Sequence, residues 1–210
     1  TFMSKPFANA AGCGCHVHVS LIDRKSGANV FLDEADPDGL SAVARSFCAG
    51  MIAHARAMMP LIGPTPNCYH RIKPHTFAPS NISWGIEDRT ALVRTKASRD
   101  QATHHEMRGA SGISNPYLSA AAVLAAGLLG IKEKLPLAPE VPGPSEEDTS
   151  LPKLPQSLED ALGHLDADRP FCDLLGTDFV RLFSTVKRFE LARFRGSVTD
   201  WERNEYLEIY

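Results

Sequence analysis

The spacing of apolar residues predicts several helices along the chain. Apolar residues recur at helical spacing from Leu40 until Pro60, which predicts one amphipathic helix over that stretch. Asn115 and Pro116 have the composition of a helix start, and the small apolar residues of 117–131 predict a buried helix after them. Amphipathic patterns predict three further helices at 157–168, 177–194 and 198–210.

Shorter alternating patterns predict strands. Residues 14–22 alternate and lead through "SGANVF" into a second short strand, which is the pattern of a hairpin. The runs "PSNISWGI" and "TALVRTK", separated by the acidic "EDR", predict a second hairpin or a meander. Six prolines among residues 135–156 exclude a helix there and indicate a surface excursion.

Composition narrows the class of protein. The chain has 210 residues, 43% of them hydrophobic, which is enough for a substantial core. A net charge of -3 gives no basic footprint for nucleic acid, and 117–131 is too short to cross a bilayer. Five scattered cysteines without a Cys-x-x-Cys pair, and no secretory signal, favour the cytoplasm. The chain begins at Thr1 in strand-like sequence, so we expect it to be part of something longer.

The segment "GCGCHVHVSL" at 12–21 contains two cysteines and two histidines within a predicted strand. Because side chains alternate faces along a strand, His16 and His18 share one face and the cysteines Cys13 and Cys15 share the other. A four-ligand zinc site would have to draw on both faces of one strand. We therefore do not expect a Cys/His zinc site here.

Three polar groups could carry chemistry: the two histidines, the glutamate Glu106, and a series of arginines at Arg71, Arg89, Arg94 and Arg108. Imidazole and carboxylate can bind Mg²⁺ or Mn²⁺, and guanidinium groups can neutralise phosphates or anchor carboxylates. Each group also has a structural explanation. The histidines could be ordinary surface or core residues, the arginines a solvated or salt-bridged face, and Glu106 the ion-pair partner of Arg108.

Three long motifs in order resemble the glutamine synthetase family and cover nearly the whole chain. They are "KPFANAAGCGCHVHVSL", "PTPNCYHRIKPHTFAPSNISWGIEDRTALVR" and "HHEMRGASGISNPYLSAAAVLAAGLLGI". The resemblance implies an ATP-dependent carboxylate-amine ligase, in which ATP phosphorylates the side-chain carboxylate of glutamate and an amine displaces the phosphate. It also implies an α+β fold, a curved antiparallel sheet backed by helices.

The resemblance assigns the metal and nucleotide residues. His16 and Glu106 match metal-binding positions for Mg²⁺ or Mn²⁺. His18 and Ser20 match positions that contact ATP, and Arg94 matches a phosphate-binding arginine. Phosphoryl transfer depends chiefly on metal ions and guanidinium groups, so these residue types agree with the implied reaction.

The resemblance also assigns the glutamate-binding residues. Gly12, Arg71 and Arg108 match positions that hold glutamate. Arg89 matches a position near both the transferred phosphoryl group and the substrate, so Arg89 and Arg94 are the catalytic candidates. Replacing either arginine by alanine is expected to reduce the rate more than it disturbs folding.

The sequence departs from the family pattern at several positions. Phe77 stands where ammonia-using relatives carry a flap glutamate, which suggests a larger or more apolar amine, as in the γ-glutamylputrescine and γ-glutamyl-alkylamine synthetase-like branch. Phe77 as simple loop packing is the alternative. Ala11 replaces the usual asparagine, Cys13 and Cys15 replace serine and methionine, and His104 stands where an arginine is common.

The family's N-terminal β-grasp domain and most of its metal ligands would lie before Thr1. We therefore expect residues 1–210 to be the C-terminal part of the catalytic domain, inactive alone, and to work in a homo-oligomeric, dodecamer-like ring when full length. True glutamine synthetase is a competing interpretation. A non-catalytic structural or regulatory member of the family is another, and Mg-ATP binding would distinguish it.

Overall fold

The computed structural model describes residues 1–209; Tyr210, the last residue of the third predicted C-terminal helix, lies outside them. The strands of this part of the chain are β1 Val17–Val19, β2 Trp84–Ile86, β3 Val93–Lys96 and β4 His104–Met107. Its helices are α1 Ala42–Ala53, α2 Ala55–Ile62, α3 Pro116–Glu133, α4 Leu158–Ala167, α5 Arg169–Leu175, α6 Thr177–Arg195 and α7 Asp200–Tyr206. Short 3₁₀ helices lie at Pro66–His70 and Ser145–Glu147.

The four strands form one sheet in the order β1-β4-β3-β2, and helices pack on one side of it. β4 lies between β1 and β3 and is antiparallel to both. The core side of the sheet carries Val93 and Met107, both fully buried. The α+β class expected from the sequence is therefore confirmed.

The prediction of a second hairpin or a meander is wrong, because β2 and β3 run parallel, with Trp84 opposite Val93. The acidic segment between them does not reverse the chain. The Asp88 carboxylate accepts hydrogen bonds from Thr90 and from Ser145 of the proline-rich segment, which draws the connection away from the sheet. Burial raises the pKa of Asp88, but these hydrogen bonds outweigh it and leave the pKa below its usual value. The sheet is consequently mixed rather than antiparallel throughout.

The chain reversal after β1 is confirmed, although its second strand is reduced to a single bridge between Ile22 and Asn29. The turn is closed by a bond from Asp23 N to Ala28 O of 2.8 Å. The Asp23 carboxylate also accepts hydrogen bonds from Ser26 within the turn.

The single helix predicted from Leu40 to Pro60 is wrong, because the chain forms two helices with a break at His54. The His54 ring bonds Asp168 across the core, with 2.6 Å between Nδ1 and Oδ2. α2 then continues through Pro60 to Ile62, so the proline does not end the helix. Periodicity alone did not reveal this break because apolar residues continue on both sides of it.

α1 packs closely against α3, whose predicted start is confirmed: the Asn115 side chain caps the helix and Pro116 is its first residue. Contact between the two helices needs glycine. A Cβ added at Gly130 would lie 2.0 Å from the carbonyl oxygen of Ser46, and one at Gly50 would lie 2.1 Å from that of Ala126. The small residues of α3 thus allow the two backbones to approach.

The C-terminal region confirms the three predicted helices within the described residues, but sequence reasoning missed the seven-residue α5. α6 buries Val180 and Leu191 and leaves apolar side chains such as Leu182 and Phe189 exposed. The segment 135–156 forms no α-helix, as predicted, and contains the second 3₁₀ helix. Within residues 1–209, no helix combines the length and the apolar character that crossing a membrane requires.

Candidate active site

Register places the candidate residues on the face of the sheet opposite the helices. In the paired strands, His18 of β1 lies opposite Glu106 of β4, and Glu106 lies opposite Arg94 of β3. Because residues two apart on a strand share a face, Arg108 extends this polar face beyond β4. His16 reaches the same face, since its ring contacts Glu106. The alternation predicted for His16 and His18 is thereby confirmed.

Glu106 is the centre of this polar face. Its side chain is 3% exposed, and its Oε1 lies 2.7 Å from His16 Nδ1 and 2.8 Å from Arg108 Nη1. Its Oε2 lies 3.1 Å from Arg94 Nη1. Burial raises the pKa of Glu106, but the charge of Arg108 and the hydrogen bond that Arg108 donates help to outweigh burial, and the pKa is lowered overall. The carboxylate is therefore ionised at neutral pH.

His16 is neutral at neutral pH, because burial and the charge of Arg108 lower its pKa. The short contact then assigns the ring hydrogen to Nδ1, which donates to Glu106 and leaves Nε2 with a free lone pair. An imidazole nitrogen and a carboxylate are donor types that fit Mn²⁺ or Mg²⁺. Within the described part of the chain, no group of three or more His, Cys, Asp or Glu side chains is arranged to hold a metal ion. Residues 1–209 thus offer two metal donors, His16 and Glu106, which are the two that the family resemblance implies.

Arg71 is almost fully buried beneath this face, and burial lowers its pKa. Its guanidinium donates to the carbonyl oxygens of Gly109 and Arg108, each at 3.2 Å. A Cβ at Gly14 would lie 2.6 Å from Arg71 Nη2, and one at Gly12 would lie 2.8 Å from its Cγ. The glycines of "GCGC" therefore make room for this arginine, and Arg71 fixes the backbone that carries Arg108.

Two other arginines differ in their partners. Arg94 bridges Glu106 and Glu87, and Lys96 Nζ lies 3.3 Å from Glu87 Oε1. Arg89 is exposed and makes no hydrogen bond or ion pair with any residue of 1–209. Sequence reasoning missed Glu87, because its contact with Arg94 depends on the parallel pairing of β2 and β3.

A cavity of about 490 Å³ opens beside Arg89 and Arg108. Arg89 and Arg108 line it together with Phe77, His75 and Glu146. The Nε of Arg108 is buried and has no hydrogen-bond partner within residues 1–209. Phe77 is 84% exposed and has a φ of 60°, so its ring stands on a strained loop and is not packed into the core. The alternative of simple loop packing for Phe77 is thus not supported.

The remaining candidates lie at the edge of this face. His18 Nδ1 lies 2.8 Å from His104 Nε2, and Ser20 is exposed just beyond β1. Cys13 and Cys15 are free thiols. His105 points to the opposite, buried side, where its Nε2 bonds the Ala44 carbonyl and burial lowers its pKa to about 4, so it belongs to the core.

The fold is thus an α+β domain whose mixed sheet carries a buried glutamate, a histidine and several arginines beside a cavity. The family model described as "Glutamine synthetase, catalytic domain" matches residues 1–206. The chain belongs to that family, so the resemblance found in the sequence is confirmed.

Curated relatives agree with the family. The chain is 38% identical to a glutamine synthetase of Methanocaldococcus jannaschii over 99% of the chain and 47% of the relative. It is also 38% identical to one of Thermotoga maritima, over 100% of the chain and 49% of the relative. The chain thus spans about half the length of these curated relatives.

Solved structures confirm the fold. A structure described as "Apo GmaS without ligand" matches with a TM-score of 0.88 at 35% identity, over 99% of this chain and 48% of the other. One described as "GmaS/ADP complex-Conformation 1" also matches with a TM-score of 0.88, over 99% of this chain and 49% of the other.

Proposed function

We propose that the full-length protein is an ATP-dependent ligase that joins the γ-carboxylate of glutamate to ammonia or an organic amine through a γ-glutamyl phosphate. Family membership supports the reaction class. The observation that carries the proposal to this chain is the cavity lined by Arg89 and Arg108, of which Arg89 makes no ion pair within residues 1–209. Two guanidinium groups in the wall of one cavity fit an anionic ligand such as a carboxylate or a phosphate.

The proposed roles of the individual residues combine the family resemblance with the positions of their side chains. Arg108 and the cavity-lining Arg89 bind the glutamate carboxylate, and Arg71 and Gly12 act by holding the backbone under Arg108. Arg89 also stabilises the charge that develops on the transferred phosphoryl group.

Three residues of the polar face are proposed to contact ATP: Arg94 on β3 and His18 on β1, which flank Glu106, and Ser20 just beyond β1. The solved ADP complex of GmaS supports nucleotide binding in this family.

A Mg²⁺ or Mn²⁺ ion would neutralise phosphate charge when bound, and His16 Nε2 and the Glu106 carboxylate are the groups that would hold it. Two donors do not complete such a site. Because the chain spans about half of its relatives, we propose that further ligands come from residues outside 1–210 and from a neighbouring subunit of a ring. Residues 1–210 alone are then inactive. The five free thiols favour a cytoplasmic protein.

The test uses the full-length protein with Mg-ATP, glutamate and, in turn, ammonium, methylamine and putrescine, recording product mass and ADP together. Amine-dependent ADP with the matching γ-glutamyl product is expected. Preference for ammonium identifies a glutamine synthetase, and preference for an organic amine identifies the γ-glutamyl-amine branch. Folded protein that forms no ADP with any amine contradicts the proposal and favours a non-catalytic family member.

A matched pair of variants separates chemistry from folding. Arg89→Ala removes an arginine without a partner in the described chain, so the melting temperature should not change while the rate falls strongly. Arg181→Ala removes an arginine of α6 that is 78% exposed and should leave both unchanged. Equal activity of the two variants would contradict the role of Arg89.

A further inference from the structure

The cavity that contains Arg89 and Arg108 also has one acidic wall. Among the described residues that line it, Glu146 is the only carboxylate. Glu146 belongs to the 3₁₀ helix Ser145–Glu147, about seventy positions after Phe77 in the chain. Phe77 lines the same cavity.

Glu146 is held firmly in place. Its backbone N donates to Thr90 Oγ1 at 3.3 Å, and the preceding Ser145 is buried and bonds the Asp88 carboxylate at 2.7 Å. The Glu146 side chain is 19% exposed, its Oε2 accepts the backbone N–H of His75 at 2.9 Å, and its Oε1 lies 3.7 Å from His75 Nδ1. The carboxylate is therefore fixed at the cavity wall, and its two oxygens keep lone pairs for a further donor.

The second substrate of the proposed reaction needs such a group. Small alkylamines are cations at neutral pH, like the lysine side chain, and two arginines in the cavity wall repel a cation. A carboxylate offsets that repulsion, and an aromatic face attracts an organic ammonium. A cavity of about 490 Å³ accommodates a small organic molecule.

We propose that Glu146 binds the ammonium group of a small organic amine, with the Phe77 ring beside its alkyl part. This inference rests on the proposed function and deepens it by naming the residue that selects the amine. Glu146 is assigned a role in binding, and glutamate and ATP are bound by other residues.

Two variants of the same shape test whether the negative charge of Glu146 is needed to bind the amine. Glu146→Gln removes the negative charge, but its amide oxygen still accepts the N–H of His75, so a purely structural role is preserved. Glu147→Gln makes the same change at the next residue, which is exposed and does not line the cavity. Both full-length proteins should keep the wild-type melting temperature.

Kinetics then distinguish binding from structure. In Glu146→Gln the KM for methylamine should rise roughly 10-fold to 100-fold, the range expected for a lost charged hydrogen bond. The KM values for glutamate and ATP should stay at wild-type levels, and Glu147→Gln should match the wild type throughout. An unchanged KM for methylamine in Glu146→Gln, or equal increases in all three KM values, overturns the inference.

A binding measurement keeps the inference independent of turnover. Titration of methylammonium chloride into the full-length protein, followed by calorimetry, should give heat with the wild type and with Glu147→Gln but not with Glu146→Gln. If the wild type binds methylammonium in this way but forms no ADP with any amine, the proposed function fails while the role of Glu146 is upheld. Absence of binding by the wild type, or equal binding by Glu146→Gln, overturns the inference.

Discussion

Arg94 forms ion pairs with two glutamates, one buried and one exposed. The same substitution, glutamate to glutamine, should therefore lower the free energy of unfolding by very different amounts at the two positions. Glu106 is 3% exposed and contacts Arg94, Arg108 and His16, whereas Glu87 is 49% exposed and contacts Arg94 and Lys96. Removing one partner of a buried ion pair costs about 3–5 kcal/mol because the charges left behind are uncompensated. Exposed pairs contribute only about 0.2–1 kcal/mol.

Glu106→Gln should therefore lower the free energy of unfolding by about 2–4 kcal/mol, slightly less than full removal because the amide oxygen still accepts one guanidinium. Glu87→Gln should lower it by less than about 1 kcal/mol, although Arg94 loses a partner in both cases. Urea denaturation of the two full-length variants, followed by circular dichroism without added metal, measures the difference. Equal costs for the two variants would refute the argument that burial decides the strength of this network.

Three further predictions test other parts of the molecule. Gly130→Ala should destabilise the protein by about 1–3 kcal/mol or more, because the new Cβ would lie 2.0 Å from the Ser46 carbonyl oxygen. The same change at Gly163, where nothing lies within 4 Å of a Cβ, should stabilise it by about 0.5–1 kcal/mol, and urea denaturation compares the two. Phe77→Glu should increase kcat/KM for ammonium relative to methylamine without changing the melting temperature, because the ring is exposed and a carboxylate can bind ammonium. Asp88 has a lowered pKa, so its stabilising effect is complete above about pH 4 and is lost as the pH falls through the lower native value. Melting temperatures measured from about pH 5 downward should fall less steeply for Asp88→Asn than for the wild type.

The polar face was predictable where a single strand determines it. The alternation in "HVHVS" placed His16 and His18 together, and they contact Glu106 and His104, which are themselves two residues apart on β4. The start of α3 was predictable as well, because capping by Asn115 depends on neighbouring residues only. Such features depend on local stereochemistry, which the sequence expresses directly.

Features that depend on distant segments were not predictable in this way. Asp88, between the parallel strands β2 and β3, bonds Ser145 far along the chain, and the contact between Glu87 and Arg94 accompanies the parallel pairing. Glu146 enters the cavity from the proline-rich segment, in which the sequence pattern indicated only a surface excursion. His54, at the break between α1 and α2, likewise bonds a distant residue, since Asp168 lies 114 positions further along the chain.

The charges on the polar face favour a binding protein over a scaffold. Glu106 compensates Arg94 and Arg108 in part, but the Nε of Arg108 is buried without a partner and Arg89 has no ion pair, both statements holding for residues 1–209. A protein that needed only a stable fold would gain nothing from placing two guanidinium groups in the wall of one cavity with no anion to hold. An anionic ligand in the cavity would compensate both arginines. The single carboxylate of Glu146 on the same wall leaves room for a cation beside that anion, which is the pair of charges that a carboxylate-amine ligase must bring together.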